Sequence, residues 1–142
     1  MDNQPIIIEK LINAPVDKVW KAITEKEEMK HWYFDLKEFK PVPGFEFSFS
    51  GGTETRTYLH HCRIVEVIPG KKISYTWRYE GEPGDTLVSF ELEPEGNQTK
   101  VKLTHSGFET FTTGNPDLDR KNFVAGWNEI IGVSLKNYFE KK

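Results

Sequence analysis

The stretch ISYTWRY, residues 73–79, decides the fold class. Its four apolar residues alternate with three polar ones, which is the period of two that an extended strand gives to the two faces of a sheet. The same alternation recurs at 45–50, 88–93 and 100–105, and 56–68 is predicted as a longer strand. Regular alternation predicts antiparallel strands with one buried face and one wet face.

Turn-forming residues separate these strands. Gly51-Gly52 is interpreted as a hairpin turn, and Pro69-Gly70 ends the longer strand. Residues 82–85 and 95–97 turn the chain again. The pattern therefore predicts five consecutive strands.

The N-terminal part predicts a strand followed by two short helices. Residues 6–13 are rich in β-branched side chains and are predicted as the first strand. Pro15 suits the first position of a helix, where a missing N–H costs nothing, and residues 24–27 resemble a capping box that starts the second helix. The apolar sides of the two helices are Val16, Val19, Trp20 and Ile23, then Met29, Trp32 and Tyr33.

A long helix is predicted at the C-terminus. Asn115-Pro116-Asp117 supplies a cap and a proline at the first position, and Lys136, Lys141 and Lys142 favour the helix end. Its apolar face is predicted as Phe123, Trp127, Ile130, Ile131, Ser134 and Tyr138. We therefore predict one α+β domain over residues 1–142, with a curved six-stranded antiparallel sheet around the helix. Core-facing residues are predicted to include Val19, Trp20, Trp32, Phe47, Tyr75, Trp77, Phe90, Leu103, Trp127 and Ile131.

Composition excludes several classes of protein. The net charge of −3 and scattered basic residues argue against a nucleic-acid partner. A single cysteine, no signal-peptide pattern and no apolar run of membrane-spanning length predict a cytoplasmic protein without disulfides or a membrane span. Aromatic residues make up 13% of the chain, which favours either a well-filled core or a pocket walled by rings.

Several short motifs, spread over nearly the whole chain, resemble one family. They are residues 12–24, 29–32, 64–69 with 73–77, 103–108, and Gly126-Trp127. The chain resembles the activator of heat-shock-protein-90 ATPase homologues, within the START-like, polyketide-cyclase and birch-pollen-allergen superfamily with the helix-grip fold. The resemblance implies a deep apolar cavity between the sheet and the long helix, in which superfamily members bind lipids, hormones or polyketides.

The resemblance implies three candidate functions. Binding of a small, mostly apolar ligand comes first, and a protein-interaction or co-chaperone role, which links the family with the stress response, comes second. The eukaryotic co-chaperone carries a further N-terminal domain, and nothing precedes Ile6 that resembles it. We therefore expect no stimulation of a chaperone ATPase by this chain alone. An enzyme of the cyclase or hydrolase type is third, because no paired acid and base can be identified.

The candidate ligand-binding residues are the inward-phased rings and their neighbours. They are Trp32, Phe45, Phe47, Phe49, Tyr58, His60, Tyr75, Trp77, Phe90, His105, Phe108, Phe123, Trp127 and Ile131. The rings either fill the space beneath the helix or line it. His105 shares its phase with Val101 and Leu103, so it is expected either as a hydrogen-bonded core residue or as a polar contact to a ligand.

No metal, cofactor or catalytic residue is predicted. On a strand, His60 and Cys62 point to one face and His61 to the other, which leaves two ligands, or three if His105 comes near. A structural zinc site needs four. No nucleophile motif surrounds Cys62, which is interpreted as a small buried thiol.

Overall fold

The computed structural model describes residues 4–33, 36–52, 57–111 and 120–140. The strands are β1 (Ile6–Ile12), β2 (Glu46–Gly52), β3 (Thr57–Ile68), β4 (Lys72–Tyr79), β5 (Thr86–Glu95) and β6 (Gln98–Ser106). The helices are α1 (Val16–Thr24), α2 (Lys26–Met29), a 3₁₀ turn at Phe108–Thr110, α3 (Arg120–Glu129), a π-helical segment (Ile130–Leu135) and α4 (Lys136–Glu140). The last three are continuous and form the C-terminal helix. Its predicted start at Asn115-Pro116-Asp117 lies outside the described residues.

The six strands form one antiparallel sheet in the order β1-β6-β5-β4-β3-β2, which confirms the predicted fold class. Four hairpins connect β2 to β6 in sequence, and β1 closes the sheet by pairing with β6, so that Ile6 lies opposite His105. Across the middle of the sheet, Phe90 lies between Leu103 and Ile73. The apolar residues of neighbouring strands therefore share the inner face, as their alternation predicts.

The interpretation of Gly51-Gly52 as a hairpin turn is wrong. Both glycines belong to β2, where Gly51 pairs with Tyr58 and Gly52 with Thr57. A ladder needs only backbone N–H and C=O groups, which glycine supplies like any other residue. The connection between β2 and β3 is therefore 53–56, outside the described residues.

The predicted starts of the two short helices also need correction. Pro15 is the cap residue before α1, with extended backbone, and the helix begins one residue later. The capping box at 24–27 does not form, because the Thr24 hydroxyl donates to the carbonyl of Trp20, 2.6 Å away. Thr24 is still the last residue of α1, so the carbonyl four residues back is its nearest acceptor. Glu25 precedes α2 without a side-chain cap.

The C-terminal helix buries a stripe that differs from the predicted one. The buried residues are Phe123, Trp127, Ile131, Leu135 and Phe139, spaced four apart throughout, whereas Ile130, Ser134 and Tyr138 are only half-buried. In a regular α-helix a spacing of four turns the stripe by about 40° at each step. The π-helical segment is wound less tightly because its hydrogen bonds span five residues, and it brings the stripe back towards the sheet.

We predict that Leu135, not its neighbours, anchors the second half of this helix. Leu135→Ala is expected to lower the free energy of unfolding by about 2–5 kcal/mol, because the side chain is fully buried. The matched control Val133→Ala, at a residue that is 43% exposed, should change it by less than about 0.5 kcal/mol. Urea unfolding of the three proteins measures both values, and equal effects would contradict the observed stripe.

Candidate functional site

The candidate residues converge on the inner face of the sheet and the facing side of the C-terminal helix. Thirteen of the fourteen are buried, and Phe45, which precedes β2, is half-buried. The predicted core position of Trp20 is wrong in degree, because its ring is only half-buried and lines an outer groove instead. Helical spacing shows which residues share one side of α1. It does not show which of them lie at the edge of that side, where the ring of Trp20 is partly exposed.

Trp127 lies at the centre of this aromatic interior. Its ring centroid is 5.5 Å from that of Trp77 on β4, 5.9 Å from His105 on β6 and 6.2 Å from Phe90 on β5. The ring of Tyr33, from the segment after α2, stacks on it at 6.3 Å. One helix residue therefore contacts three strands and the α2 segment.

A chain of hydrogen bonds fixes this arrangement. The indole Nε1 of Trp127 donates to Nδ1 of His105 over 3.0 Å. Nε2 of His105 therefore carries the proton, and it donates to the hydroxyl of Thr86, 2.7 Å away. That hydroxyl in turn donates to the backbone carbonyl of Trp77 over 2.7 Å. Both ring nitrogens of His105 therefore bond to protein groups.

Two other polar side chains among the candidate residues, those of His60 and Tyr75, are also bonded to protein atoms. Nδ1 of His60 lies 3.2 Å from the carbonyl of Phe49 and 3.1 Å from that of Tyr58, so this nitrogen carries the proton. The hydroxyl of Tyr75 lies 2.6 Å from that of Tyr33. Within the described part of the chain, no buried side-chain nitrogen or oxygen lacks a hydrogen-bond partner. The interior therefore presents ring faces rather than unsatisfied polar atoms.

Burial shifts the ionisation of these groups towards their neutral forms. It lowers the pKa of His105 to about 3 and that of His60 to about 4, and it raises the pKa of the Tyr33 and Tyr75 hydroxyls. It likewise raises the pKa of the Cys62 thiol. Because the thiolate is the nucleophile, a neutral buried thiol has little reactivity.

Sequence patterns missed two residues of this interior. Tyr33 was expected on the apolar side of the second helix, but nothing in its spacing placed its ring against the helix and the sheet. Thr86 lies two residues before Val88, so the alternation of Val88 and Phe90 extends to it. This alternation predicts that Thr86 faces the interior. No group of three or more His, Cys, Asp and Glu that could hold a metal occurs among the described residues.

A second concavity lies on the outside of the molecule. It is an open groove of about 700 Å³ against α1 and residues 39–41. Val16, Trp20, Phe39 and Pro41 supply its apolar surface, and charged residues surround them.

No helix in the described ranges is long and apolar enough to cross a membrane.

The curved sheet, the long helix and the ring-rich space between them define a helix-grip protein of the START-like superfamily. Residues 13–140 match the family described as Activator of Hsp90 ATPase homolog 1-like protein, and the chain belongs to this family. No curated protein gives a significant match.

Several solved structures share the fold over 95% or more of this chain. Protein MLL2253 from Mesorhizobium loti is 26% identical, with 98% of each chain covered and a TM-score of 0.80. CalU16 from Micromonospora echinospora is 26% identical over 95% of this chain and 75% of its own, with a TM-score of 0.74. Protein CV1439 from Chromobacterium violaceum, 20% identical with 99% of both chains covered and a TM-score of 0.79, supports the fold alone.

We predict that acid destabilises the fold through the two buried imidazoles. Below the ordinary pKa of 6.5, the unfolded chain binds protons that His60 and His105 do not bind in the folded chain. The free energy of unfolding therefore falls as the pH decreases from 6.5 towards 4. At about pH 5 each histidine is expected to lower it by about 2 kcal/mol relative to neutral pH.

Urea unfolding at a series of pH values measures this dependence. His105→Gln, which can still form hydrogen bonds but does not titrate, should lose about half of the slope. The same unfolding midpoint at neutral pH and at about pH 5 in the parent protein would contradict the assignment of neutral buried imidazoles.

Proposed function

We propose that the protein binds a small, mostly apolar molecule between the sheet and the C-terminal helix. The observation that carries the proposal is the convergence of rings from four strands and the helix on one interior space. Phe49 and Trp77 lie 5.5 Å apart on the sheet, and Trp77 contacts Trp127 on the helix. Ligand sites are mostly apolar and are often walled by aromatic side chains.

The hydrogen bonding of the interior limits the class of ligand. Tyr75 and His105 are two polar side chains among the candidate residues. The Tyr75 hydroxyl bonds to that of Tyr33, and the His105 ring bonds to Trp127 and Thr86. A ligand that required these groups would have to break bonds within the protein, which leaves buried groups unpaired. A flat, apolar molecule that packs on ring faces, such as a fatty acid chain, a sterol or a flavonoid, fits this interior better.

The Tyr33 ring occupies space between the sheet and the C-terminal helix. It belongs to neither the sheet nor the C-terminal helix, yet its ring lies 6.2 Å from Phe90 on one side and 6.3 Å from Trp127 on the other. Its hydroxyl meets Tyr75, whose side chain is fully buried. A ligand between the layers would therefore share or replace the position of the Tyr33 ring.

Family membership supports the same proposal. Helix-grip proteins of the START-like superfamily commonly bind ligands or proteins, and this chain belongs to that superfamily. A fold alone does not define a ligand, since one fold serves many functions. The argument for a ligand therefore depends on the rings around Trp127.

Thermal unfolding with a panel of fatty acids, sterols and flavonoids tests the proposal. A ligand at one hundred times its dissociation constant should add roughly 2.7 kcal/mol, a rise of several degrees for a domain of this size. Tyr33→Leu should bind the active compound more tightly, because a smaller side chain vacates part of the space. An apolar cavity opened in this way can take up a benzene-sized molecule.

Tyr33→Phe is the matched control, because it keeps the ring and removes only the hydroxyl. It should bind like the parent protein if the ring, and not its bond to Tyr75, competes with the ligand. No rise from any class of compound, in either the parent protein or Tyr33→Leu, would contradict the proposal.

The outer groove supports protein interaction as a second candidate function. Its half-buried Trp20 and the neighbouring Pro41 form an apolar surface with charges of both signs around it, among them Lys21 and Glu27. Tryptophan is enriched among residues that dominate protein interfaces. The family name makes a heat-shock-protein-90 chaperone the first partner to examine.

Calorimetric titration of the chaperone with this protein tests the second candidate. Trp20→Glu should weaken binding by tenfold or more, on the order of what a central interface residue contributes. Val133→Glu, an exposed apolar residue on the C-terminal helix, serves as the control and should bind like the parent protein. Absence of binding by the parent protein would exclude the chaperone as a partner of this protein.

A further inference from the structure

The outer face of the sheet carries a pocket whose charged and polar side chains take no part in the ring-lined interior. Its volume is about 370 Å³, and it lies over the region where β2, β3 and β4 pair. Ser48, His61, Arg63, Thr76 and Arg78 line it with hydrogen-bond donors. A pocket of this size is at the lower end of the range for small-molecule sites.

Register places the two arginines as diagonal neighbours on this face. His61 pairs with Arg78, and the same register sets Arg63 opposite Thr76, whose hydroxyl accepts a hydrogen bond from the Arg63 backbone over 3.0 Å. Diagonal neighbours on paired strands lie roughly 7–8 Å apart at the backbone, within reach of long side chains. Two like charges at this separation repel each other unless an anion lies between them.

Neither guanidinium has a hydrogen-bond or ion-pair partner in the part of the chain that the structure describes. This distinguishes them from other cations on the same sheet face. Lys72 pairs with Glu66 at 2.9 Å, and Lys100 lies 3.7 Å from Glu93. Among these four cations, the two arginines at the pocket therefore lack the carboxylate partner that the two lysines have.

The donors beside the arginines are held in place. Nε2 of His61 bonds to the carboxylate of Glu80 at 2.5 Å, which turns Nδ1 towards the hydroxyl of Ser48, 3.2 Å away. A β-bulge between Ile64 and Glu66 bends β3 at the edge of the pocket. Bulges commonly occur beside functional sites, where they redirect side chains.

We propose that this pocket binds the phosphate or carboxylate group of a small organic molecule. The planar guanidinium of arginine matches both groups with two parallel hydrogen bonds. Glu46 and Asp85 also line the pocket, and their charges offset those of the arginines. The site therefore favours a ligand with one compact anionic group over a polyanion such as nucleic acid.

Amide NMR spectra during titration with phenyl phosphate test the proposal. Resonances of β2, β3 and β4 around Ser48 and Arg63 should shift in a saturable manner. Arg63→Gln and Arg78→Gln should each weaken binding by about tenfold or more, because each removes a charged hydrogen-bond donor. Arg78→Lys should also weaken binding, since lysine keeps the positive charge but lacks the planar guanidinium that donates two parallel hydrogen bonds.

Lys102→Gln is the matched control, because it removes one positive charge from the same sheet face outside the pocket. It should bind phenyl phosphate like the parent protein. An equal loss in this variant, or shifts spread over the whole surface, would show screening of net charge and overturn the proposal, as would no saturable shift at low salt. The arginine variants alter exposed side chains and Lys102→Gln alters a half-buried one, and all of them should unfold at the temperature of the parent protein.

The source of the anionic group is decided by two further probes. Saturable binding of inorganic phosphate or phenyl phosphate, without flotation on vesicles, identifies a soluble ligand. Flotation with phosphatidylcholine vesicles that contain phosphatidic acid, lost in Arg63→Gln and Arg78→Gln, identifies a lipid headgroup. Flotation that is retained in both variants would overturn the assignment of these arginines.

Discussion

The hydrogen bond between Trp127 and His105 is the constraint on which the two layers depend. An indole N–H in a dry interior must find an acceptor, and Nδ1 of a fully buried His105 provides it. That acceptor exists only while the imidazole is neutral, and the Thr86 hydroxyl holds the proton on the other nitrogen. The bond therefore fixes the height of the C-terminal helix over β6, the tautomer of the histidine and the position of the Trp127 indole.

The π-helical segment solves a geometric problem that follows from this anchor. Once Trp127 is fixed, Ile131, Leu135 and Phe139 must also reach the sheet, and their spacing of four would carry them around a regular α-helix. Underwinding at Ile130–Leu135 keeps them on one side. The backbone of all three parts of the helix consequently remains close to β1.

The sequence predicts most of the fold because alternation is a local signal. The alternation of neighbouring residues alone predicts that Tyr75, Trp77 and Phe90 face the interior, and these residues are buried as expected. The partners of polar atoms could not be assigned in this way. Thr86 and Tyr33 meet His105 and Tyr75 only because distant segments fold together, and no spacing rule encodes such contacts.

The errors have equally local causes. Thr24 was assigned to a cap by its neighbours in sequence, but its hydroxyl finds a carbonyl of the preceding turn first. Gly51-Gly52 has the composition of a turn, whereas the ladder with β3 continues through both residues. In the candidate site, burial of the aromatic residues was predictable, while the ring of Tyr33 between the layers was not.

The pairing of β1 with β6 has a consequence for how the protein folds as it is made. The hairpins from β2 to β6 join neighbours in sequence, so they can form as each strand leaves the ribosome. β1 is synthesised before the other strands, but its partner β6 is the last. Ile6 therefore cannot pair with His105 until β6 has been made. Closing that long loop costs chain entropy and slows the final step. Until then β6 is an open edge of the nascent sheet and β1 has no partner, so β1, with exposed Ile7 and Leu11, needs protection from association with other chains.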